Sequence, residues 1–103
     1  MARRFGSASA FKAAFEAALA SLEVRERNVL RQHYLDGLST EQIGALYDVH
    51  ETTAFRWIDG ARDKLNKRTR NEFLRRVSVP SAELESILRL VQSQLDLSLS
   101  RVL

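Results

Sequence analysis

There is no cysteine among the 103 residues of the chain, which excludes disulfides and thiolate metal sites together and leaves no support for a zinc-built fold. Proline is almost as scarce, Pro80 being the only one, so one joint is expected there and the chain before it reads as helical pattern. No window approaches the roughly 18 uninterrupted apolar residues of a spanning helix. The start Met1-Ala2-Arg3-Arg4-Phe5 also lacks the apolar stretch of a signal peptide, so a cytoplasmic, non-membrane protein is expected. The two histidines, His33 and His50, have no third ligand at a recognisable spacing and no Ser-His-acid pattern around them. No metal, no cofactor and no enzyme chemistry is therefore expected.

The length suits one small domain with an appendage and no second core of ordinary size. With 45% hydrophobic and 28% charged residues, and Ala, Leu, Arg and Glu prevailing over β-branched types, the composition is that of a globular all-α protein. Net charge is only +3, but it is unevenly placed. Residues 1–50 carry six basic and six acidic side chains, residues 51–80 eight and four, and residues 81–103 two and three. A basic excess confined to the middle fits either a polyanionic partner, whose condensed counterions it would release, or a solvated helix face.

The pattern divides the chain into a disordered leader over 1–7, a helical domain over 8–77 and an amphipathic helix over 81–103. A first helix over about residues 8–20 carries the stripe Phe11, Ala14, Phe15, Ala18 and Leu19. A second, over about 24–36, has Val24, Arg27, Leu30 and Tyr34 at helical spacing, and Gly37 ends it as a left-handed residue. Ser39-Thr40-Glu41-Gln42 is a capping-box pattern that starts a short helix from Thr40 to Tyr47. Asp48-Val49-His50 forms a turn, and from Glu51 a longer helix lines up Ala54, Ile58, Ala61 and Leu65 on one face, with Trp57 expected in the core beside them. After Pro80, Ser81 is a plausible N-cap for a helix whose Leu84, Ile87, Leu88, Val91, Leu95, Leu99 and Val102 need a cover. That cover is either the first-helix face around Phe11 and Phe15 or the same helix of a second chain, a homodimer.

The stretch from Thr40 to Ile58 meets the requirements of a helix-turn-helix. Gly44 is small where the second helix crosses, Ile43 and Tyr47 point inward, Val49 plugs the turn, and Ala54 and Ile58 face the first helix. Asp48 stands where a positive φ is usual and tolerates it better than most side chains. An αα-hairpin without any role on DNA would show much of the same pattern.

The run from Leu22 to Ser39, Leu-Glu-Val-Arg-Glu-Arg-Asn-Val-Leu-Arg-Gln-His-Tyr-Leu-Asp-Gly-Leu-Ser, resembles the first part of region 4 of sigma-70 family factors, especially the small extracytoplasmic-function type. Thr40 to Ile58 is similar to that region's helix-turn-helix, and Ala61-Arg62-Asp63-Lys64-Leu65 to its usual ending, for a coverage of about residues 10–76. The Val-His and Arg-Trp elements and the tail at residues 93–100 resemble a myxobacterial subgroup.

The resemblance implies promoter recognition at the minus-35 element during transcription initiation. Its partners would be double-stranded promoter DNA, the RNA polymerase core through its beta flap and an anti-sigma protein, and its location the nucleoid. The second helix of the motif would lie in the major groove, presenting Glu51, Thr52, Phe55, Arg56 and Asp59. Arg56 is either the leading base reader, bonding guanine with its fork, or a solvated side chain. Thr52 and Thr53 would touch a thymine methyl or a phosphate, and Phe55 either contacts thymine or is partly buried. Thr40 either holds a phosphate with the free amides of its helix or assists capping, and His50 either caps the following helix or meets a phosphate. His33 reads as an exposed helix residue, and Arg62 is the best placed of the later basic residues for a phosphate. About four to six phosphates would be neutralised in all, a salt slope near −4 to −5. The domain that would read a minus-10 element is absent from these residues, which favours a fragment or truncated homologue of a longer factor. The output domain of a LuxR-type transcriptional regulator, and a module that only binds polymerase or an anti-sigma factor, are the competing readings.

Overall fold

The computed structural model describes residues 2–77, 83, 85, 86 and 89–94, with side chains from residue 9 onward. Four helices account for nearly all of this: α1, Ala2–Ser21; α2, Val24–Tyr34; α3, Thr40–Tyr47; and α4, Glu51–Arg76. No strand occurs among the described residues, as the composition leads one to expect. Helix α1 begins ahead of the expected residue 8 and takes in the stretch read as a leader. Gly6 and Ser7 each lower helix propensity by less than about 1 kcal/mol relative to alanine, which a following alanine-rich run can carry.

The core forms where α1 lies along α4, the most extensive of the helix pairings. Ala10, Ala14, Phe15, Ala18 and Leu22 are buried from one side, and Ala54, Ile58, Ala61, Leu65 and Phe73 from the α4 side. Val29 and Leu30 of α2 and Ile43 of α3 complete the cluster. The alanines at spacings of three and four let the two long helices approach closely, and the phenylalanines fill what remains. Phe11 and Phe15 stack with centroids 6.2 Å apart. Val24, expected on the inward stripe of α2, is instead 64% exposed. It is the first residue of its helix, where the chain is still turning away from α1.

Two arginines close the C-terminal end of α1. Arg27 donates to the carbonyls of Leu22 at 2.6 Å and Ala20 at 3.3 Å, and Arg68 donates to the Ser21 carbonyl at 3.0 Å and hydroxyl at 2.9 Å. These carbonyls have no partner within the helix, and the negative end of its dipole favours cations there. Helix α2 stops before Gly37, whose φ of 75° turns the chain back as expected, and the Leu38 amide closes the turn onto the Gln32 carbonyl at 3.0 Å. His33 is half-buried rather than exposed, because its Nδ1–H donates to the Leu38 carbonyl across the same turn at 2.8 Å.

Of the C-terminal segment, residues 89–94 are helical, Val91 is 3% exposed within the main core cluster, and Arg70 donates to Gln92 at 3.3 Å. This part of the segment therefore packs on its own chain. Ser81, Leu84, Ile87, Leu88, Leu95, Leu99 and Val102 lie outside the described residues.

Candidate nucleic-acid interface

Helices α3 and α4 form a helix-turn-helix, and its geometry is set locally. The Ser39 hydroxyl accepts from the Gln42 amide at 3.1 Å while the Gln42 side chain accepts from the Ser39 amide at 2.8 Å, a reciprocal capping box. Asp48 takes the left-handed conformation at φ 57°, the only non-glycine residue with positive φ among those described. The Val49 amide then closes onto the Gly44 carbonyl at 2.8 Å. Gly44 is where the chain crosses itself: a Cβ there would stand 2.8 Å from the Val49 carbonyl oxygen and 3.3 Å from the Glu51 Cα. Those are backbone atoms, so only a hydrogen at this position lets α4 start where it does.

Helix α4 starts on His50, whose Nδ1 accepts from the Thr52 amide at 3.0 Å. The capping alternative for His50 thus holds, and the ring's other nitrogen is left as a donor directed away from that bond. Thr40 is half-buried in the first turn of α3, beside the Ser39 cap. Along α4, Glu51, Thr52, Phe55, Arg56, Asp59 and Arg62 are all exposed and Thr53 is half-buried. Residues 52, 55, 56 and 59 share one outward stripe by helical periodicity, with Glu51 at its leading edge. Phe55 stands 55% exposed, so part of its ring is covered and the rest is open for contact.

Trp57 is not fully in the core. It sits half-buried at the seam of three helices, edge-to-face with Tyr47 at 5.6 Å and with the Arg25 guanidinium 4.2 Å from its ring centre. Tyr47 also donates to Gln32 of α2 at 3.1 Å. The face of the indole attracts the cation. Arg25, Arg56, Trp57, Gly60 and Lys64 line one shallow groove. Arg25 was not singled out from the sequence, since its place beside Arg56 depends on how α2 meets α4.

The basic stretch of α4 is largely consumed within the fold. Arg62 donates to the Tyr34 hydroxyl at 3.2 Å and pairs with Asp59 at 3.0 Å. The Tyr34 oxygen first, then the Asp59 charge, hold its guanidinium above its ordinary pKa. Lys64 pairs with Glu26, Lys67 with Asp63 at 3.3 Å, Arg68 caps α1, Arg70 meets Gln92, and Arg75 and Arg76 both grip Glu72. Burial alone would raise the Glu26 carboxyl, but the hydrogen bonds from Lys64 and from the Glu23 amide outweigh it and leave the pKa lowered. Arg56 makes no hydrogen bond or ion pair among the described residues, and Arg31 is likewise exposed and unpaired. Of the eight basic residues of α4, only Arg56 is without a hydrogen bond or ion pair among the described residues, while Arg62, Lys67 and Arg75 keep 46%, 63% and 73% of their side chains exposed within their pairs.

No group of three or more potential metal ligands occurs among the described residues, and no helix there is long and apolar enough to cross a membrane. A family model described as sigma-70, region 4 matches residues 12–65, a span that runs from the first turns of the core-forming part of α1 through the helix-turn-helix. Neither a curated protein nor a solved structure matches the chain.

Proposed function

The chain belongs to the sigma-70 region 4 family, and from that membership we propose that it binds the minus-35 element of a promoter, with the first turns of α4 in the major groove. A sigma-factor DNA-binding region is what the family provides. The finer reading rests on one observation in particular: an unpaired Arg56 on an exposed stripe of a helix whose start is held rigidly by the Gly44 crossing. A major groove about 12 Å wide admits one helix, and a guanidinium fork free of intramolecular partners can bond both acceptors of guanine. Thr52 and Phe55 beside it are suited to a thymine methyl, Thr53 and Thr40 to the adjoining phosphates, and the free His50 nitrogen to a phosphate at the helix start.

Phosphate contacts are fewer in this reading than the charge count suggests. With Arg56 on a base, Arg25, Arg31 and Arg62 are the candidates, which gives a slope of log K against log salt near −3. RNA polymerase is the proposed second partner, since so small a cationic footprint supports only weak binding to DNA by the chain alone. An anti-sigma protein remains a further proposed partner by family resemblance, with cytoplasmic, nucleoid-associated action.

The test is fluorescence anisotropy on a promoter duplex and a scrambled one. Arg56→Ala should lose about 1 to 3 kcal/mol on the promoter and less on the scrambled duplex. Equal losses on both would make Arg56 a phosphate contact, and no binding to either at low salt would refute the DNA-binding role.

A further inference from the structure

Between Ser39 and Gly60 the helix-turn-helix carries four carboxylates, Glu41, Asp48, Glu51 and Asp59, against one arginine, Arg56. A surface laid against a polyanion is expected to carry the opposite balance, so each of these carboxylates needs an account. Asp59 has one: it is neutralised by Arg62 at 3.0 Å, and the pair is braced by the Tyr34 hydroxyl. Asp48 makes the left-handed turn, and Glu41 sits in the first turn of α3 rather than on α4. Glu51 has none. It is exposed, in the first turn of α4, and forms no hydrogen bond or ion pair among the described residues.

We propose that Glu51 is a specificity-determining residue that admits cytosine, and excludes guanine and thymine, at one base pair of the DNA site. This rests on the DNA-binding reading above. A carboxylate is acceptor-only. In the major groove guanine shows two acceptors and thymine an acceptor and a methyl, so either leaves the carboxylate repelled and desolvated without a bond. Adenine shows a donor beside an acceptor, which satisfies one carboxylate oxygen and repels the other. Cytosine shows its N4 amino donor with no neighbouring acceptor on that base, so one carboxylate oxygen accepts its single groove-facing hydrogen while the other stays turned to water. The base pair is distinct from the one Arg56 addresses. Five residues advance a helix by about 7.5 Å, or roughly two base-pair steps. Glu51 thus acts chiefly by making wrong sites unfavourable, which suits a domain with few phosphate contacts: discrimination by repulsion needs no gain in affinity.

The experiment is selection from a pool of randomised duplexes at low salt with the full chain, followed by affinity measurement on the selected sites. The proteins compared are the wild type, Glu51→Gln, Glu51→Ala and, as a control for charge alone, Glu41→Gln. The wild type should prefer cytosine at one position by roughly 5- to 150-fold. Glu51→Gln, with an acceptor and a donor side by side, should move that preference to adenine, Glu51→Ala should abolish it, and Glu41→Gln should leave it intact. The same base preference in all four proteins would overturn the proposal while leaving DNA binding standing. Failure of the wild type to bind any duplex would overturn both.

Discussion

Gly44 and Gly60 are both helical glycines, and the same substitution at the two positions should move stability in opposite directions. Replacing an interior helical glycine by alanine is worth about 1 kcal/mol when the new methyl group meets nothing. At Gly60 a Cβ would find no atom within 4 Å, so Gly60→Ala should stabilise the fold by that amount. At Gly44 the same gain is opposed by a Cβ placed 2.8 Å from the Val49 carbonyl oxygen. Ordinary contact lies beyond about 3.4 Å, so the turn would have to open by a substantial fraction of an ångström. The carbonyl cannot simply swing aside. The adjoining amide of Val49 is bonded to Gly44 at 2.8 Å, and Asp48 is fixed in its left-handed conformation. Overpacking against such a site costs roughly 2 to 3 kcal/mol, which leaves a net loss of about 1 to 2. For a domain of this size the midpoints should shift by about 4 to 8 °C per kcal/mol, upward for Gly60→Ala and downward for Gly44→Ala. Thermal unfolding followed by far-ultraviolet circular dichroism would measure both. If Gly44→Ala melted above the wild type, as Gly60→Ala should, the close crossing of α3 and α4 would not exist and the positioning of Arg56 argued from it would fail.

Thr69 is fully buried and its hydroxyl has no hydrogen-bond partner among the described residues, so Thr69→Val, which keeps the shape, should stabilise the chain by about 1 to 2 kcal/mol in urea unfolding. Loss of stability would mean the hydroxyl is bonded. Glu26 holds a lowered carboxyl pKa, so its contribution is complete above the ordinary value of 4.5 and disappears as pH falls through the folded-state value. The stability gap between wild type and Glu26→Gln should therefore be widest near neutrality and close in acid, and a gap independent of pH would count against the Lys64 pairing. The salt dependence of duplex binding should have a slope near −3, and one as steep as −5 would show that the arginines paired within α4 release their partners on DNA. Removing residues 81–103 should lower the melting temperature of a chain that remains monomeric, because Val91 alone buries a side chain worth about 1.5 kcal/mol. An unchanged midpoint would show that the segment does not stabilise the domain.

Local chemistry was legible in the residues themselves. The Ser39–Gln42 box, the left-handed Gly37 and Asp48, the small Gly44 and the inward Ala54, Ile58, Ala61 and Leu65 all depend on partners a few positions away, where spacing dictates who meets whom. The outward stripe from Thr52 to Asp59 followed from the same periodicity. Which charges remain available did not. Arg62 finds Tyr34, Lys64 finds Glu26 and Arg68 finds Ser21, partners separated by 28, 38 and 47 positions. Such pairs exist only once α1 and α2 have docked on α4, and before that every one of these side chains counts equally as a free cation. Trp57 shows both sides of this: its periodicity placed it inward and it does pack against the core, but the seam where Tyr47 and Arg25 converge on it is made by three helices meeting. A spacing rule states which way a side chain points from its own helix, and the packing of the other helices sets what stands there to receive it.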